Sequence, residues 1–369
     1  MTFGIIAALI ISVVTYMHTA EQFGASPEGD HLTRIASSPQ YHDGRFRNAG
    51  NVEMQMTLRG GLESMYEFIT AKNTSPSQPL PTAFPSDWNT AALPDGAYAV
   101  TWFGHSAVML ELEGTRLLLD PMLGPAASPL PVFGKRFALA HPIELDNIPA
   151  VDAVLISHDH YDHLDHTSIL ALSERVGHFF VPLGVGAHLR RWGIDAERIT
   201  EMDWWDEASV AGLRIAATPA QHFSGRALND RNRTLWASWV VMGSDTRIFF
   251  SGDSGYGPHF RQIGERYGPF DFTMMECGQY NEKWRPIHSM PEESVQGHID
   301  LGGKVMMPIH WGGFTLAPHA WTEPVRRVHA AAAEHGVMLV TPVIGQRMVS
   351  ASAFPQEQWW NSVETKADD

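Results

Sequence analysis

Ile156-Ser157-His158-Asp159-His160-Tyr161-Asp162-His163 is the densest run of metal-ligating chemistry in this chain. It closes the apolar stretch Asp152–Ser157 (DAVLIS), which has the length and composition of a buried strand. Where a strand ends the chain leaves regular geometry, so successive side chains can turn into one space. His158 and His160 project to one side of an extended segment, because strand side chains alternate with period two. The turn beyond them can carry Asp162 and His163 to a second position. Neutral imidazoles and carboxylates are the ligands zinc accepts where cysteine is absent. The plain alternative, a histidine-rich surface turn, explains this segment but none of what lies further along.

Three more apolar runs end on the same chemistry. Ile215–Gln221 leads to His222, Ile248–Gly252 to Asp253, and Lys304–Ile309 to His310. Singly, each reads as a core histidine or a turn aspartate. Four strand ends in one order point instead to a single pre-organised site.

Composition agrees with a folded enzyme. The 369 residues are 44% hydrophobic and 18% charged, enough for one large α/β domain with an extension. Acidic residues outnumber basic ones 41 to 26, a net charge of −15, which speaks against a nucleic-acid partner. Cys277 is the one cysteine, so an intrachain disulfide and a thiolate-rich structural zinc site are both excluded. Residues 1–20 read as a signal- or anchor-like segment. As a helix, the apolar run Phe3–Met17 would span about 22 Å, short of a bilayer core but suited to a signal-peptide core. No Lys or Arg precedes it and no small-x-small cleavage site follows, so a buried N-terminal helix is the alternative. The run favours a membrane-anchored or exported, periplasmic protein over a cytoplasmic one.

Residues 18 to about 95 look irregular apart from a helix near Leu62–Ala71. From Ala97 the pattern changes. Strands are expected at Ala97–Phe103, Ala107–Glu113, Arg116–Asp120, Asp152–Ser157, Phe179–Leu183, Leu213–Thr218, Leu235–Met242, Arg247–Ser251, Asp271–Glu276, Val305–Ile309 and Met338–Thr341. Helices are expected at Thr167–Arg175, capped by Asp165, and at Pro258–Tyr267, Pro291–Leu301 and Glu323–His335. Two sheets with helices outside them accommodate this order.

The order HxHxDH, His, Asp, His resembles the metallo-β-lactamase superfamily. The flanking words Trp102-Phe103-Gly104-His105-Ser106, Ser251-Gly252-Asp253-Ser254-Gly255-Tyr256, His288-Ser289-Met290-Pro291-Glu292-Glu293 and Ile309-His310-Trp311-Gly312 narrow the likeness. They resemble the N-acylphosphatidylethanolamine-hydrolysing phospholipase D family and its bacterial relatives, from about Gln40 to about Gly345. The resemblance implies an αββα sandwich of two mixed β-sheets flanked by helices. The change of pattern at Ala97 sets the expected bounds: the hydrolase domain at 96–348, an extension packed on the core at 21–95, and a tail at 349–369. The resemblance implies that His158, His160 and His222 hold one Zn2+. Asp162, His163 and His310 hold a second, and Asp253 bridges them.

The activity so implied is phospholipid hydrolysis through a hydroxide shared by the two zincs, releasing N-acylethanolamine and phosphatidic acid. Asp253 is the candidate to take the hydroxide's proton, and His288 to touch the phosphate or protonate the leaving group. Tyr161 is a second candidate substrate contact or a residue packed beneath the ligands. His105 reads as a supporting or turn residue and His166 as a helix start. The pairs Trp204-Trp205 and Trp359-Trp360 hint at a lipid interface or at core packing. The reading admits membrane association and a homodimer. The alternatives are the same metals acting on a lactone or other ester, and a non-enzymatic envelope protein that keeps the fold for binding.

Overall fold

Apolar strands buried on both faces set the architecture. The computed structural model describes residues 15–16, 19–52, 58–85, 88 and 93–363. The expected apolar run Phe3–Met17 lies outside them save for Thr15 and Tyr16. Among the described residues no helix is long and apolar enough to cross a membrane.

A short hairpin, β1 (Tyr41–His42) and β2 (Arg45–Phe46), precedes the two main sheets. The first sheet takes β3 (Tyr98–Trp102), β4 (Val108–Leu112), β5 (Thr115–Leu119), β6 (Val151–Leu155), β7 (Val176–Pro182), β8 (Ile199–Met202) and the late strand β16 (Arg347–Val349). The second takes β9 (Glu207–Val210), β10 (Leu213–Thr218), β11 (Ser238–Met242), β12 (Arg247–Phe250), β13 (Phe270–Glu276), β14 (Gly303–Ile309) and β15 (Met338–Leu339). Their orders are β16-β3-β4-β5-β6-β7-β8 and β15-β14-β13-β12-β11-β10-β9. Each sheet is mixed: β3–β4–β5 and β10–β11–β12 pair antiparallel, while β5–β6–β7 and β12–β13–β14 pair parallel.

The period of two explains the layers. Leu117, Leu119 and Leu155 face Ile215, Trp239 and Phe250 between the sheets. Leu118, Val154 and Phe179 face outward, onto Ile169 and Leu172 of helix α3 (His166–Leu172) and Leu189 of α4 (Gly186–Arg191). Helices α5 (His259–Tyr267), α6 (Pro291–Asp300) and α7 (Glu323–His335) cover the other sheet through Phe260, Val295 and Val328. This is the sandwich expected from the sequence.

The region before the sheets departs from expectation. It carries α1 (Asp30–Ala36), the β1–β2 hairpin and α2 (Leu58–Thr70) rather than one helix in irregular chain. The first two elements are too short to show a hydrophobic period, and they are held by tertiary contacts. Tryptophans are mostly core: Trp204, Trp359 and Trp360 are buried, and Trp359 stacks on Trp311. Those three form no lipid-facing surface.

Candidate metal centre

Strand ends bring the histidines together. From the loop after β6, His158 Nε2 lies 2.8 Å from His160 Nδ1, and His222 Nε2, beyond β10, lies 3.2 Å from that same nitrogen. Two nitrogens on one tetrahedral zinc, each at about 2.0–2.1 Å, stand roughly 3.3 Å apart, close to these spacings. Burial pushes the pKa of His158 and His222 well below the usual histidine range and that of His160 down to about 4. All three therefore stay neutral and keep a lone pair for a cation. The backbone carbonyl of Ile287 takes Nδ1 of His222 at 2.9 Å, which fixes Nε2 as the free nitrogen.

A second group gathers Asp162, His163 and His310, and the structure adds His105 to it. Asp253, directly after β12, lies between the two groups. Its carboxylate stands 3.1 Å from His163 Nε2 and 3.0 Å from His310 Nδ1, and 3.8 and 3.7 Å from Nε2 of His158 and His222. His163 Nε2 and Asp253 Oδ1 are fully buried with no hydrogen-bond partner. Orphaned atoms of this kind are rare in a folded interior, and a cation between them would satisfy both. The donor set thus fits metal ions. Burial raises the Asp253 carboxyl to about 7. Burial also opposes charge on His163, but Asp253, Asp162 and Asp120 together hold its pKa well above the usual range.

Several supporting residues escaped the sequence reading. Asp120, at the end of β5, accepts from Ser157 N at 2.6 Å, Ser157 Oγ at 2.5 Å and His163 Nδ1 at 2.7 Å. It keeps a proton on Nδ1, so that Nε2 is the nitrogen His163 gives up to a metal ion. Glu276, at the end of β13, accepts from Ser254 N and Ser289 N on one oxygen and meets His288 Nδ1 at 2.9 Å with the other. Both carboxylates end apolar strands, the same signal that marked the ligands. His105 Nε2 sits 2.9 Å from Asp162 Oδ2. His105 and His310 both have positive φ, 53° and 66°, and are locked by the backbone pair His105 N–Trp311 O and His310 N–His105 O, each 2.9 Å. Gly252 has φ +55°, and a Cβ there would lie 2.5 Å from Ser157 Cβ, so only glycine lets β12 exit this close to the histidine loop.

A cavity of about 250 Å³ opens on the cluster, lined by His160, Asp162, Asp253, His288 and His310 together with the apolar side chains of Phe223, Trp284, Ile287 and Leu316. His288 is therefore placed in it. Tyr161 is absent from this lining; its hydroxyl donates to Arg226 O at 2.8 Å and its ring lies 4.0 Å from the Arg226 guanidinium. His166 starts α3 against Trp192.

Two sheets with helices outside and a strand-end cluster of histidines and aspartates describe a metal-dependent hydrolase, and residues 115–311 match the beta-lactamase superfamily domain. The chain belongs to the metallo-β-lactamase superfamily. An uncharacterized protein of Mycobacterium tuberculosis is 44% identical over 329 residues, spanning 88% of this chain and 87% of its own length. The N-acyl-phosphatidylethanolamine-hydrolyzing phospholipase D 1 of Caenorhabditis elegans is 33% identical over 228 residues, 58% of this chain and 64% of the nematode protein. In fold the chain is similar to Igni18, a metallo hydrolase from Ignicoccus hospitalis, with a TM-score of 0.54 at 20% identity over 69% of this chain and 98% of that one.

Proposed function

We propose that this hydrolase holds two zinc ions and cleaves a phosphodiester of the N-acylphosphatidylethanolamine kind, in the manner of a phospholipase D. The observation that carries the reading is one cavity lined both by His288 with members of the metal cluster and by the apolar side chains of Phe223, Trp284, Ile287 and Leu316. The cluster and His288 suit a charged phosphate, and the apolar side chains suit the hydrocarbon attached to it. A neighbouring cavity of about 220 Å³ shares Phe223 and Ile287, reaches His222, and is lined by Arg45, Arg47 and Arg231 against one acidic residue, Asp43, which pairs with Arg47 at 2.8 Å. A cationic pocket beside the cluster, in a chain of net charge −15, supports an anionic substrate. Helix α2 supports contact with a lipid surface: Tyr66 and Ile69 are 68% and 76% exposed, and Glu67 binds Lys283 beside Trp284 at 2.8 Å. The nematode relative named for N-acyl-phosphatidylethanolamine hydrolysis supports the substrate class.

Zinc held by this donor set supplies Lewis acidity and lowers the pKa of coordinated water. Asp253, between the two histidine groups, orients the attacking water and accepts its proton. His288, with Nδ1 held by Glu276, turns Nε2 to the phosphate and, as the doubly protonated imidazolium, gives the Nε2 proton to the departing alkoxide. Water adds to phosphorus, the bond from phosphorus to the headgroup oxygen breaks, and phosphatidic acid and N-acylethanolamine result.

The test is zinc content and hydrolysis by the purified full chain and by Asp253→Asn, first on bis(p-nitrophenyl) phosphate and then on N-acylphosphatidylethanolamine in mixed micelles. Lipid cleavage lost in the variant is the expected result. Bound zinc with no phosphodiesterase activity would turn the reading to lactones and other esters.

A further inference from the structure

His222 sits in irregular chain beyond β10, where no strand pairs with its backbone. Asn48, from the N-terminal extension, takes that role. Its Oδ1 accepts from His222 N at 3.0 Å and its Nδ2 donates to His222 O at 2.9 Å. The rest of the amide is used as well: Oδ1 also accepts from Trp236 Nε1 at 3.0 Å, and Nδ2 donates to Val52 O at 3.1 Å. A carboxamide so satisfied has one orientation and holds its partners to it.

The histidine loop is held from behind in the same way. Arg226 is buried, and its NH1 donates to Asp159 O at 2.6 Å and to Leu164 O at 2.8 Å, one near each end of the segment that carries His160, Asp162 and His163. Its Nε and NH2 donate to Gln22 O in the extension, at 3.0 and 2.6 Å. The guanidinium lies over Tyr161 and Trp192. Next to Gln22, Ala25 N donates to His188 Nδ1 at 3.1 Å, and His188 Nε2 reaches Asp159 Oδ2 at 3.2 Å. Gly24 admits this contact, since a Cβ there would lie 2.0 Å from His188 Nδ1. Gln22 and Asn48 both precede residues 115–311, the part matching the superfamily domain.

We propose that Asn48 and the Gln22–Arg226 pair are positioning residues through which the N-terminal extension fixes the histidine ligands, making the extension a working part of the metal centre. The proposal rests on the reading of His158, His160 and His222 as metal ligands. Asn48 acts on His222 through its backbone. Arg226 acts on the loop through two carbonyls, and a lysine ammonium cannot span both of these and Gln22 O at once.

The experiment compares wild type, Asn48→Ala, Asn48→Asp and Arg226→Lys as full chains, with Zn2+ alone as the probe. Affinity is read by competition with a chromophoric chelator, geometry by the absorption spectrum of the Co2+-substituted protein, and folding by the unfolding midpoint of the metal-free protein. Outer contacts of this kind are worth roughly 10- to 100-fold in metal affinity, and that loss is expected for all three variants together with an altered Co2+ spectrum. Asn48→Asp keeps the shape and the accepting oxygen but cannot donate to His222 O. Behaviour like Asn48→Ala supports positioning by hydrogen bonds. Variants with a lower metal-free midpoint but wild-type zinc affinity when folded would show a merely structural role and overturn the proposal. If Arg226→Lys does not fold, the Asn48 pair decides. A wild-type chain that holds no zinc overturns the metal reading and this proposal with it.

Discussion

Asp120→Asn isolates the tautomer of His163. In the native site Oδ1 accepts from Ser157 N, while Oδ2 lies 2.5 Å from Ser157 Oγ and 2.7 Å from His163 Nδ1. An asparagine that keeps the first contact must turn its NH2 toward the other two. His163 then faces a donor with a donor, or shifts its proton to Nε2 and loses the lone pair a metal needs. A buried donor left without an acceptor costs about 1–3 kcal/mol, and each 1.4 kcal/mol is about a factor of ten in affinity. The expected loss is therefore roughly 10- to 100-fold in zinc affinity, in line with other contacts behind metal-bound histidines.

The loss is expected to be local. The ion assigned to Asp162, His163 and His310 should leave first, and the one at His158, His160 and His222 should remain. Chelator competition resolves the two classes, and Co2+ absorption reports the geometry of whichever ion stays. An Asp120→Asn protein that folds, holds wild-type metal and releases it at the wild-type rate would refute the reasoning, because the hydrogen bond to Nδ1 would then not govern Nε2.

Glu276→Gln should leave metal content unchanged and lower kcat by roughly 10²–10⁴, the range for a mispositioned general acid; an unchanged kcat would remove His288 from the reaction. Burial lowers His298 to about 4. Below about pH 6.5 the unfolded chain therefore takes up a proton that the folded chain refuses, and stability falls as pH falls toward 4. Between pH 6.5 and 4.5 wild type should lose about 2 kcal/mol more than His298→Gln in denaturant titrations, and parallel curves would contradict this. Gly252→Ala places a methyl against Ser157 and strains φ, so a loss of about 1–3 kcal/mol in stability is expected by thermal unfolding.

The sheets were legible because their strands are long apolar runs, and the ligands because each stands where such a run stops. Leu213–Thr218 and Glu323–His335 fall on their expected bounds. Strands β8, β9 and β16 were not legible: Ile-Thr-Glu-Met and Glu-Ala-Ser-Val carry polar residues and have no clear period, and β16 is set by pairing with β3, some 250 residues earlier in the chain. Leu235 to Ala237 read as strand but precede it, because Leu235 N and Ala237 N bond to Leu183 O and Ser157 O in the other half of the sandwich. Asp120 and Glu276 carried the right signal, a charge closing an apolar run, but were read as strand ends. Asn48 and Arg226 carried none, since the partners that tie them to the ligand segments are backbone carbonyls and amides that sequence does not single out.

The supporting contacts share one logic that bears on how the centre works. His222 gives its Nδ1 to a carbonyl, His163 to Asp120, and His288 to Glu276, while Ser157 Oγ stands 2.9 Å from Nδ1 of His158. In each, one ring nitrogen is committed to the protein, and the choice made there dictates what the other nitrogen offers the cavity. The acceptors come from β5, β13, the loop before α6 and the residue ahead of His158, so both sheets must be assembled before the tautomers are set. Metal affinity is therefore a property of the whole sandwich rather than of the HxHxDH segment. A peptide spanning that segment alone, with the same ligands and none of these partners, lacks the means to hold His163 or His158 in the binding tautomer.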